Sequence, residues 1–271
     1  YTFQCRRMTD FRHGRVLFVG DAAHQVSPFG ARGANSGFQD SDDLMWKLAL
    51  VMKGQASEKL LDTYALDRQF AADENIMNST RSTDFITPKS RTSKTFRNQV
   101  LALAKHYPFA RKLVNSGRLS VPSFLTSSLL NTPDVDAFEG HMVPGAPMDD
   151  ALVQVAGQDA WLLDQAGKGF AALLFADTVP SAEVLAQLQA LTSGPLPVTP
   201  LIVSPRALDV PGVKVIVDAQ GLVAKRYDGQ AGTTYLLRPD QHVAARWRMF
   251  DASPIQQALA RATGQALTGS R

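Results

Sequence analysis

The residues best suited to chemistry lie within residues 15–37. Val16 to Val19 is an apolar stretch bounded by Gly20, and its composition predicts a buried parallel strand. Ligands of open α/β sheets bind outside the carboxyl ends of the strands. Asp21 lies at the carboxyl end of this predicted strand. Its carboxylate can accept hydrogen bonds from the hydroxyl groups of a sugar or a sugar alcohol. This segment is therefore a candidate site for a ligand that carries such groups.

A loop rich in proline and glycine leads from this strand end into a helix. Pro28 stiffens the loop, whereas Gly30, Gly33 and Gly37 permit a positive φ angle or a close approach of the backbone to a flat ring. Asn35 is predicted to be the N-cap of the helix. Because the first N–H groups of a helix favour negative charge, the loop predicts an anion-stabilising end of the site.

Arg32 adds a fixed positive charge beside the predicted helix start. Reduced flavin is anionic around N1 and the C2 carbonyl, so the carboxylate, the loop and the helix end together suit the sugar-phosphate and ring of a flavin. The alternative is an ordinary strand, turn and helix that binds nothing. A complete FAD site of this kind also needs a G-x-G-x-x-G turn for the pyrophosphate, and the sequence does not contain one.

The same residues resemble a motif of a known family. The second flavin motif of the class A flavoprotein aromatic hydroxylases, which include the phenol and meta-hydroxyphenylpropionate hydroxylases, is similar to Gly20-Asp-Ala-Ala-His24, Pro28, Gly30-x-x-Gly33-x-Asn35 and Asp43-Leu-x-Trp-Lys-Leu48. The resemblance implies a catalytic role for Pro28, beside the flavin ring and near the substrate. It also implies that FAD is contacted by Gly20, Asp21, Pro28, Gly30, Arg32, Gly33, Ala34 and Asn35.

The resemblance further implies an activity. The chain is expected to be the C-terminal portion of an FAD-dependent monooxygenase that uses NADH or NADPH. With dioxygen, such an enzyme hydroxylates a small phenolic substrate through a flavin C4a-hydroperoxide. Two alternatives stay open, a catalytically silent structural or dimerisation fragment and a flavin oxidoreductase of another reaction type. Because the pyrophosphate turn is missing, we expect the chain alone to bind FAD weakly or not at all and to be inactive.

Composition excludes several other classes of function. The net charge of +3 is small, and aromatic residues are sparse in the basic segment 78–98, which favours a solvated surface over a nucleic-acid site. Cys5 is the only cysteine and the histidines are scattered, so no metal site is expected. His24 is interpreted as a hydrogen-bonding residue rather than a base. No apolar stretch has the length of a membrane span, and we expect a cytoplasmic homodimer without membrane or nucleic-acid partners.

The length of the chain and its change from a mostly helical pattern to alternating strands and helices predict an α/β fold in two domains. By resemblance, residues 1–135 are the C-terminal helical part of an FAD-binding domain, Rossmann-like and of the para-hydroxybenzoate hydroxylase type. Residues 136–148 are a linker, and residues 149–271 are a thioredoxin-like α/β domain. That domain contains no cysteine, so dithiol chemistry is excluded there and a packing or dimerisation role is expected.

The first part is predicted to be mostly helical. A helix over residues 35–53 places Phe38, Met45 and Met52 on an apolar face, and most of the sheet that covers this face in the family is absent from the sequence. Its acidic residues Asp40, Asp42 and Asp43 match the helix macrodipole. A second helix follows Ser57, and a third spans residues 96–115 with a break at Pro108.

The second part alternates strands and helices in the order typical of a thioredoxin-like domain. Strands are predicted over residues 169–176, 198–203, 213–217 and 234–238. Ser181 and Ser253 are predicted to cap helices. Trp161 and Trp247 are expected to pack inside this domain, and Trp46 is expected to be a core residue of its helix.

Overall fold

The structure is a computed structural model, and it describes residues 2–28, 30–114 and 121–265. The chain divides into two units, one of Tyr1–Met45 with Tyr64–Ser123 and one of Trp46–Thr63 with Phe124–Arg271. Helices and a mixed seven-stranded sheet confirm the predicted α/β class. Asn115, the predicted end of the third helix, lies outside the described residues.

The first unit contains two small antiparallel ladders and most of the helical residues. Strand β1 (Arg6–Arg7) pairs with β4 (His24–Gln25), and β2 (Arg12–His13) pairs with β3 (Val16–Leu17). The helices are α1 (Arg32–Met52), α2 (Lys59–Ile86), α3 (Arg91–Ala104) and α4 (Pro108–Val114), of which α1 and α2 also contribute residues to the second unit. Pro108 begins α4, at the position where its missing N–H is not needed.

The prediction of a buried parallel strand over Val16–Val19 is wrong. Only Val16 and Leu17 join a ladder, and they pair antiparallel with the strand just before them. Gly14, with φ of +61°, turns the chain between the two strands. Val16 is 55% exposed, because no parallel partner strand for it lies among the described residues of this unit.

Helix α1 begins at Arg32, earlier than predicted, and it buries an unexpected face. Phe38, Met45 and Met52 are exposed, as expected for an apolar face without its sheet. Asp40 is buried instead, and the match of its charge to the helix macrodipole gave no indication of that burial. A helix whose buried face carries a charge requires partners for that charge, and these are described with the site below.

The second unit is built on one mixed sheet with the strand order β11-β10-β7-β8-β9-β5-β6. The strands are β5 (Leu152–Val155), β6 (Gln158–Trp161), β7 (Phe170–Phe175), β8 (Val198–Ser204), β9 (Lys214–Val217), β10 (Thr234–Leu237) and β11 (Val243–Trp247). The helices are α5 (Leu162–Ala166), α6 (Ala182–Leu191), α7 (Leu222–Tyr227) and α8 (Ala252–Ala262). Strands β7, β8 and β9 run parallel, whereas β10 and β11 form an antiparallel hairpin beside β7. This order agrees with the predicted thioredoxin-like arrangement.

The core of this unit covers both faces of the sheet. All six residues of β7 are buried, and they alternate between two apolar clusters, with Leu173 in one and Leu174 in the other. Met142 and Ala146, from the segment predicted as a linker, are fully buried in the cluster that contains Leu173. A central strand that is buried on both faces explains why β7 has a continuous apolar sequence.

One predicted helix cap is confirmed and the other is wrong. The hydroxyl of Ser181 accepts a hydrogen bond from the N–H of Val184 at 3.3 Å, which caps α6. At α8 the N-cap is Asp251, whose Oδ1 accepts from the N–H of Ser253 at 2.8 Å. Aspartate and serine are both good caps, and the one that stands just before the first helical residue takes the position.

Two of the three tryptophan predictions are confirmed, and one is wrong. Trp247 and Trp46 are buried, as predicted, and the ring of Trp46 lies edge-on to Phe170 with centroids 5.7 Å apart. The prediction for Trp161 is wrong, because it is 53% exposed. It ends β6, the edge strand of the sheet, which has no neighbouring strand on one side among the residues that the structure describes.

Candidate functional site

A tight turn carries the predicted cofactor carboxylate. Residues Gly20–Ala22 form one turn of 3-10 helix, in which Gly20 has a φ of +57°. The N–H of Gly20 donates to Asp40 Oδ2 at 2.9 Å, so the backbone of the turn is anchored to α1. Asp21 is exposed, and its carboxylate has no hydrogen-bond partner among the described residues. The turn thus presents a free acceptor on a fixed backbone.

Two glycines allow α1 to cross this turn closely. A Cβ atom on Gly37 would lie 3.3 Å from the Cα of Gly20, which is tighter than most real contacts. Gly37 therefore favours a close approach of α1 to the Gly20 turn, whereas the sequence predicted an approach to a flat ring. Gly33 differs, since it lies inside α1 and an added Cβ would meet Val26 at an ordinary 3.7 Å.

A buried ionic cluster lies beneath the turn. His24 Nε2 donates to Asp40 Oδ2 at 2.6 Å, and Arg68 Nε donates to Asp40 Oδ1 at 2.7 Å. Burial alone would raise the pKa of Asp40, but the hydrogen bond from His24 and the charge of Arg68 outweigh it and lower that pKa. His24 also stacks on Phe11, with ring centroids 5.7 Å apart. The interpretation of His24 as a hydrogen-bonding residue is confirmed.

The loop before α1 is closed by its own backbone and by Asn35. The N–H of Ala31 donates to the carbonyl of Pro28 at 3.1 Å, and Gly30 has a φ of +89°. The prediction of Asn35 as N-cap is wrong, because it lies within the first turn of α1 and its Nδ2 donates to the carbonyl of Ala31 at 2.9 Å. This bond uses the amide N–H of Asn35 and not its oxygen, so it satisfies a carbonyl of the loop rather than an N–H group of the helix start.

Arg32 lies in the wall of a pocket of about 460 Å³. Only 6% of the residue is exposed, and its Nη1 donates to Asn75 Oδ1 while its Nη2 donates to the carbonyl of Val121 at 3.2 Å. Burial lowers the pKa of Arg32, although the charge of Glu74 opposes that shift. The pocket is lined by Gly30, Arg32, Asn35, Ser36, Phe38, Gln39, Asn75, Val121 and Pro122.

The structure brings some of the predicted residues together and separates others. Gly30, Arg32 and Asn35 share the pocket just described. Asp21 lines a second pocket of about 220 Å³, together with Arg6, Arg7, Met8, Ala22, Ala23, His24 and Gln25. Pro28 and Ala34 are exposed and line neither pocket. All of these residues belong to the first unit.

Hydroxyl groups fasten the loop before Pro28 to α2. The Oγ atoms of Ser27 and Ser79 lie 2.6 Å apart, and Thr83 Oγ1 lies 2.9 Å from Ser27 Oγ. Ser79 Oγ also donates to the carbonyl of Ser27 at 3.3 Å. The start of the loop is therefore held by side chains more than fifty residues away in sequence.

Sequence reasoning missed the supporting residues of α2. Arg68, Asn75 and Ser79 contact Asp40, Arg32 and Ser27 respectively. Their spacing of seven and then four residues places them on one helix face. Polar residues that recur at helical spacing among buried alanines were the signal that could have revealed this face.

Membrane-spanning helices and metal-binding clusters are both absent from the described residues. No helix within residues 2–28, 30–114 and 121–265 combines the length and the apolar composition needed to cross a membrane. Within the same ranges, no group of three or more His, Cys, Asp or Glu side chains is arranged to hold a metal ion.

The chain is similar to proteins of known class. Residues 1–79 match the family model described as FAD binding domain, so the prediction of FAD is confirmed at the level of the family. The 3-(3-hydroxy-phenyl)propionate/3-hydroxycinnamic acid hydroxylase of Mycolicibacterium gilvum (strain PYR-GCK) is 30% identical over 269 residues. That match covers 96% of this chain and 46% of the relative, so the chain spans about half the length of the curated protein.

Two solved structures share the fold. The flavin-dependent monooxygenase PieE, determined with FAD and substrate, has a TM-score of 0.76 and 23% identity over 98% of this chain and 50% of its own. Aklavinone-11 hydroxylase, determined with FAD and aklavinone, has a TM-score of 0.68 and 25% identity over 97% of this chain and 46% of its own. The resemblance of this chain to the class A flavoprotein aromatic hydroxylases, predicted from the turn and loop motif, is thus confirmed over about half the length of such proteins.

Proposed function

We propose that this chain is the C-terminal portion of an FAD-dependent aromatic hydroxylase and supplies half of its flavin site. The observation that carries the proposal is the exposed Asp21 turn beside a glycine loop and the start of α1, within residues that match an FAD-binding family. The similarity to a hydroxylase of 3-(3-hydroxy-phenyl)propionate supports a phenolic substrate. NADH or NADPH and dioxygen are the proposed co-substrates.

The residues of the first unit fit FAD chemically. Asp21 offers a carboxylate, unbonded within the described part of the chain, to the hydroxyl groups of the ribityl or ribose part. The start of α1, where Ala34 and Asn35 are exposed residues, offers its first N–H groups to the pyrimidine edge of the ring. Arg32 adds positive charge in the wall of the neighbouring pocket. The eight predicted residues, Gly20, Asp21, Pro28, Gly30, Arg32, Gly33, Ala34 and Asn35, are all proposed to contact the cofactor.

Each of these groups contributes binding, orientation or charge rather than bond making. When bound, FAD would supply the oxidation chemistry, in which two electrons from NADH or NADPH reduce dioxygen so that one oxygen atom enters the ring and the other leaves as water. Arg32 and the start of α1 would stabilise negative charge on the ring. Pro28, exposed on a closed turn, would shape the cavity beside the substrate and exclude water.

The domain boundaries belong to the same proposal. Residues 1–135 would complete the FAD-binding domain, residues 136–148 would lead from it, and residues 149–271 would form the thioredoxin-like domain. Within the second of these segments, Met142 lies in the apolar core of the second unit. This domain contains no cysteine, so a role in packing or in formation of a homodimer is proposed for it rather than redox chemistry.

Turnover by the full-length protein tests the proposed activity. With FAD, NADH or NADPH, and 3-(3-hydroxyphenyl)propionate, we expect oxygen consumption and a product heavier by one oxygen atom. Phenylpropionate, which lacks the ring hydroxyl, should give no such product. A product formed by dehydrogenation, without incorporated oxygen, would contradict hydroxylation and favour a flavin oxidoreductase of another type.

A structural or dimerisation fragment is the second candidate function. It is favoured by the exposed apolar side chains of α3 and α4, among them Phe96, Phe109 and Leu113. Absorbance near 450 nm separates the candidates, because a full-length protein that stays colourless with added FAD would support a structural role. Tight stoichiometric FAD in the 271-residue chain alone would contradict the expectation that the half-site binds weakly.

A further inference from the structure

A small pocket in the second unit lies where three parallel strands end. Strands β7, β8 and β9 run in the same direction, and residues at or just after their carboxyl ends line a pocket of about 110 Å³. Phe175 and Ala176 come from the end of β7, Ser204 from β8, and Asp218 follows β9. Ligands of sheets with parallel strands bind preferentially at this edge. The pocket shares no residue with the candidate flavin site.

The walls of this pocket are mostly apolar and tightly packed. Phe175, Val203 and Pro205 supply carbon surface. Gly229 closes one side, and a Cβ atom there would lie 2.3 Å from the ring of Phe175, so only glycine fits against this ring. Both Phe175 and Val203 belong to the buried core of the sheet, which makes this wall a fixed surface.

One wall of the pocket carries a buried carboxylate whose hydrogen bonding is incomplete. Asp218 is 3% exposed, and its Oδ2 accepts a hydrogen bond from the N–H of Ala224 at 2.9 Å. Its Oδ1 is buried and has no partner among the described residues. A buried carboxylate oxygen without a donor is costly, because it loses water and gains nothing in return. Because Oδ1 has almost no exposed surface, a ligand in the pocket reaches it only when the carboxylate turns toward the cavity, and a donor that bonds there would remove that cost.

The charge and the size of the site restrict the ligand. A carboxylate between apolar walls repels anions and bonds most strongly to a charged N–H donor. A cavity of about 150 Å³ holds one benzene ring, whereas pockets for drug-sized ligands have about 300–1,000 Å³. The pocket here is smaller than that benzene cavity and is partly open to solvent, so it suits one small molecule whose flat or short apolar body is only partly enclosed.

We propose that this pocket binds a small organic cation, an ammonium or amidinium ion with an apolar body. Its N–H groups donate to Asp218 Oδ1, and its body lies against Phe175 and Val203. The hydroxyl of Ser204, whose Oγ accepts only a long 3.4 Å bond from the N–H of Arg206, is a second polar contact. This binding is separate from the flavin site and does not depend on the proposed hydroxylase activity.

Binding of benzylammonium to the 271-residue chain tests the proposal. We expect saturable NMR shifts at Phe175, Ser204 and Gly229, with a Kd of about 1 mM for a ligand of this size. In Asp218→Asn, the amide oxygen still accepts from Ala224 but the charge is lost, so the Kd should rise by about tenfold or more. Asp209→Asn, which changes an exposed loop carboxylate, should leave binding unchanged.

A charge series on the native chain makes the test independent of any variant. Benzyl alcohol should bind about tenfold more weakly than benzylammonium, because its donor is uncharged, and benzoate should not bind. The proposal is overturned if benzoate binds as well as benzylammonium, or if Asp218→Asn folds and binds equally. It is also overturned if no saturable shift occurs, since Asp218 Oδ1 would then meet an ordered water only.

Discussion

The two units of this chain are stabilised in different ways. The second unit buries a central strand on both faces of a seven-stranded sheet, and two apolar clusters cover those faces. The first unit has strands of only two residues, and it buries Asp40, Arg68 and Arg32 beside its functional turns. The contrast shows that apolar burial organises a scaffold, whereas polar contacts fix exposed backbone in one conformation.

Asp40 illustrates how the first unit works. One carboxylate joins the N–H of Gly20, the ring of His24 and the guanidinium of Arg68. The exposed side chain of Asp21 is not needed to hold the turn, because Asp40 already fixes the backbone next to it. This division between a supporting and a presenting carboxylate leads to the predictions below.

Removal of the supporting carboxylate should have the largest effect. Asp40→Ala leaves Arg68 buried without its carboxylate, so we expect a loss of about 3–5 kcal/mol in the free energy of unfolding of the first unit. Asp73→Ala, which breaks the exposed pair with Arg7, should cost less than about 1 kcal/mol. Hydrogen exchange resolved by residue measures both, and equal costs would show that the cluster is not the anchor.

Truncation of the sheet core should rank next. Leu173 is fully buried in β7, so Leu173→Ala is expected to cost about 2–5 kcal/mol in the second unit. Val16→Ala truncates an exposed strand residue of the first unit and should change stability by about 0.5 kcal/mol or less. Urea unfolding, monitored by hydrogen exchange in each unit separately, compares the stability costs of the two variants. A large cost for Val16→Ala would mean that β3 is part of a buried sheet.

Acid should destabilise both units through different carboxylates. Burial tends to raise the pKa of Asp240, but the charges of Arg238 and His242 hold it well below its usual value, and the pKa of Asp40 is also lowered. A lowered folded pKa gives stability that is complete above the unfolded pKa, about 4, and is lost as pH falls through the folded value.

The loss of stability in acid should therefore disappear in each unit only when the buried carboxylate of that unit is replaced. In a series of thermal or urea unfolding experiments below about pH 4, Asp40→Asn should flatten the pH dependence of the first unit and Asp240→Asn that of the second. If a single variant flattened the pH dependence of both units, that result would contradict the separation of the two units.

A helix cap should give the smallest effect. Asp251→Ala removes the acceptor for the N–H of Ser253 at the start of α8 and should cost about 1 kcal/mol. Ser253→Ala should be close to neutral, because the serine side chain caps nothing there. Thermal unfolding of the two variants tests this assignment. The reverse order would restore the sequence-based prediction of Ser253 as the cap.

Local patterns in the sequence predicted local features well. The Pro28 loop and the continuous apolar strand β7 each depend on residues close together in the chain. The contacts of Asp40 with Arg68 and of Arg32 with Asn75 join residues 28 and 43 positions apart, which no local pattern specifies. Strand β6 was missed because its residues are mainly exposed and polar.

Binding of FAD by the full-length protein tests the central claim most directly, that the exposed turn of the first unit is half of a flavin site. Asp21→Ala removes one charged acceptor, so we predict a rise in the Kd for FAD of about ten- to one-hundredfold, with loss of absorbance near 450 nm after dilution. Asp209→Ala, an exposed carboxylate of the second unit, should leave the affinity unchanged. Equal affinity of Asp21→Ala and the unaltered protein would contradict the account.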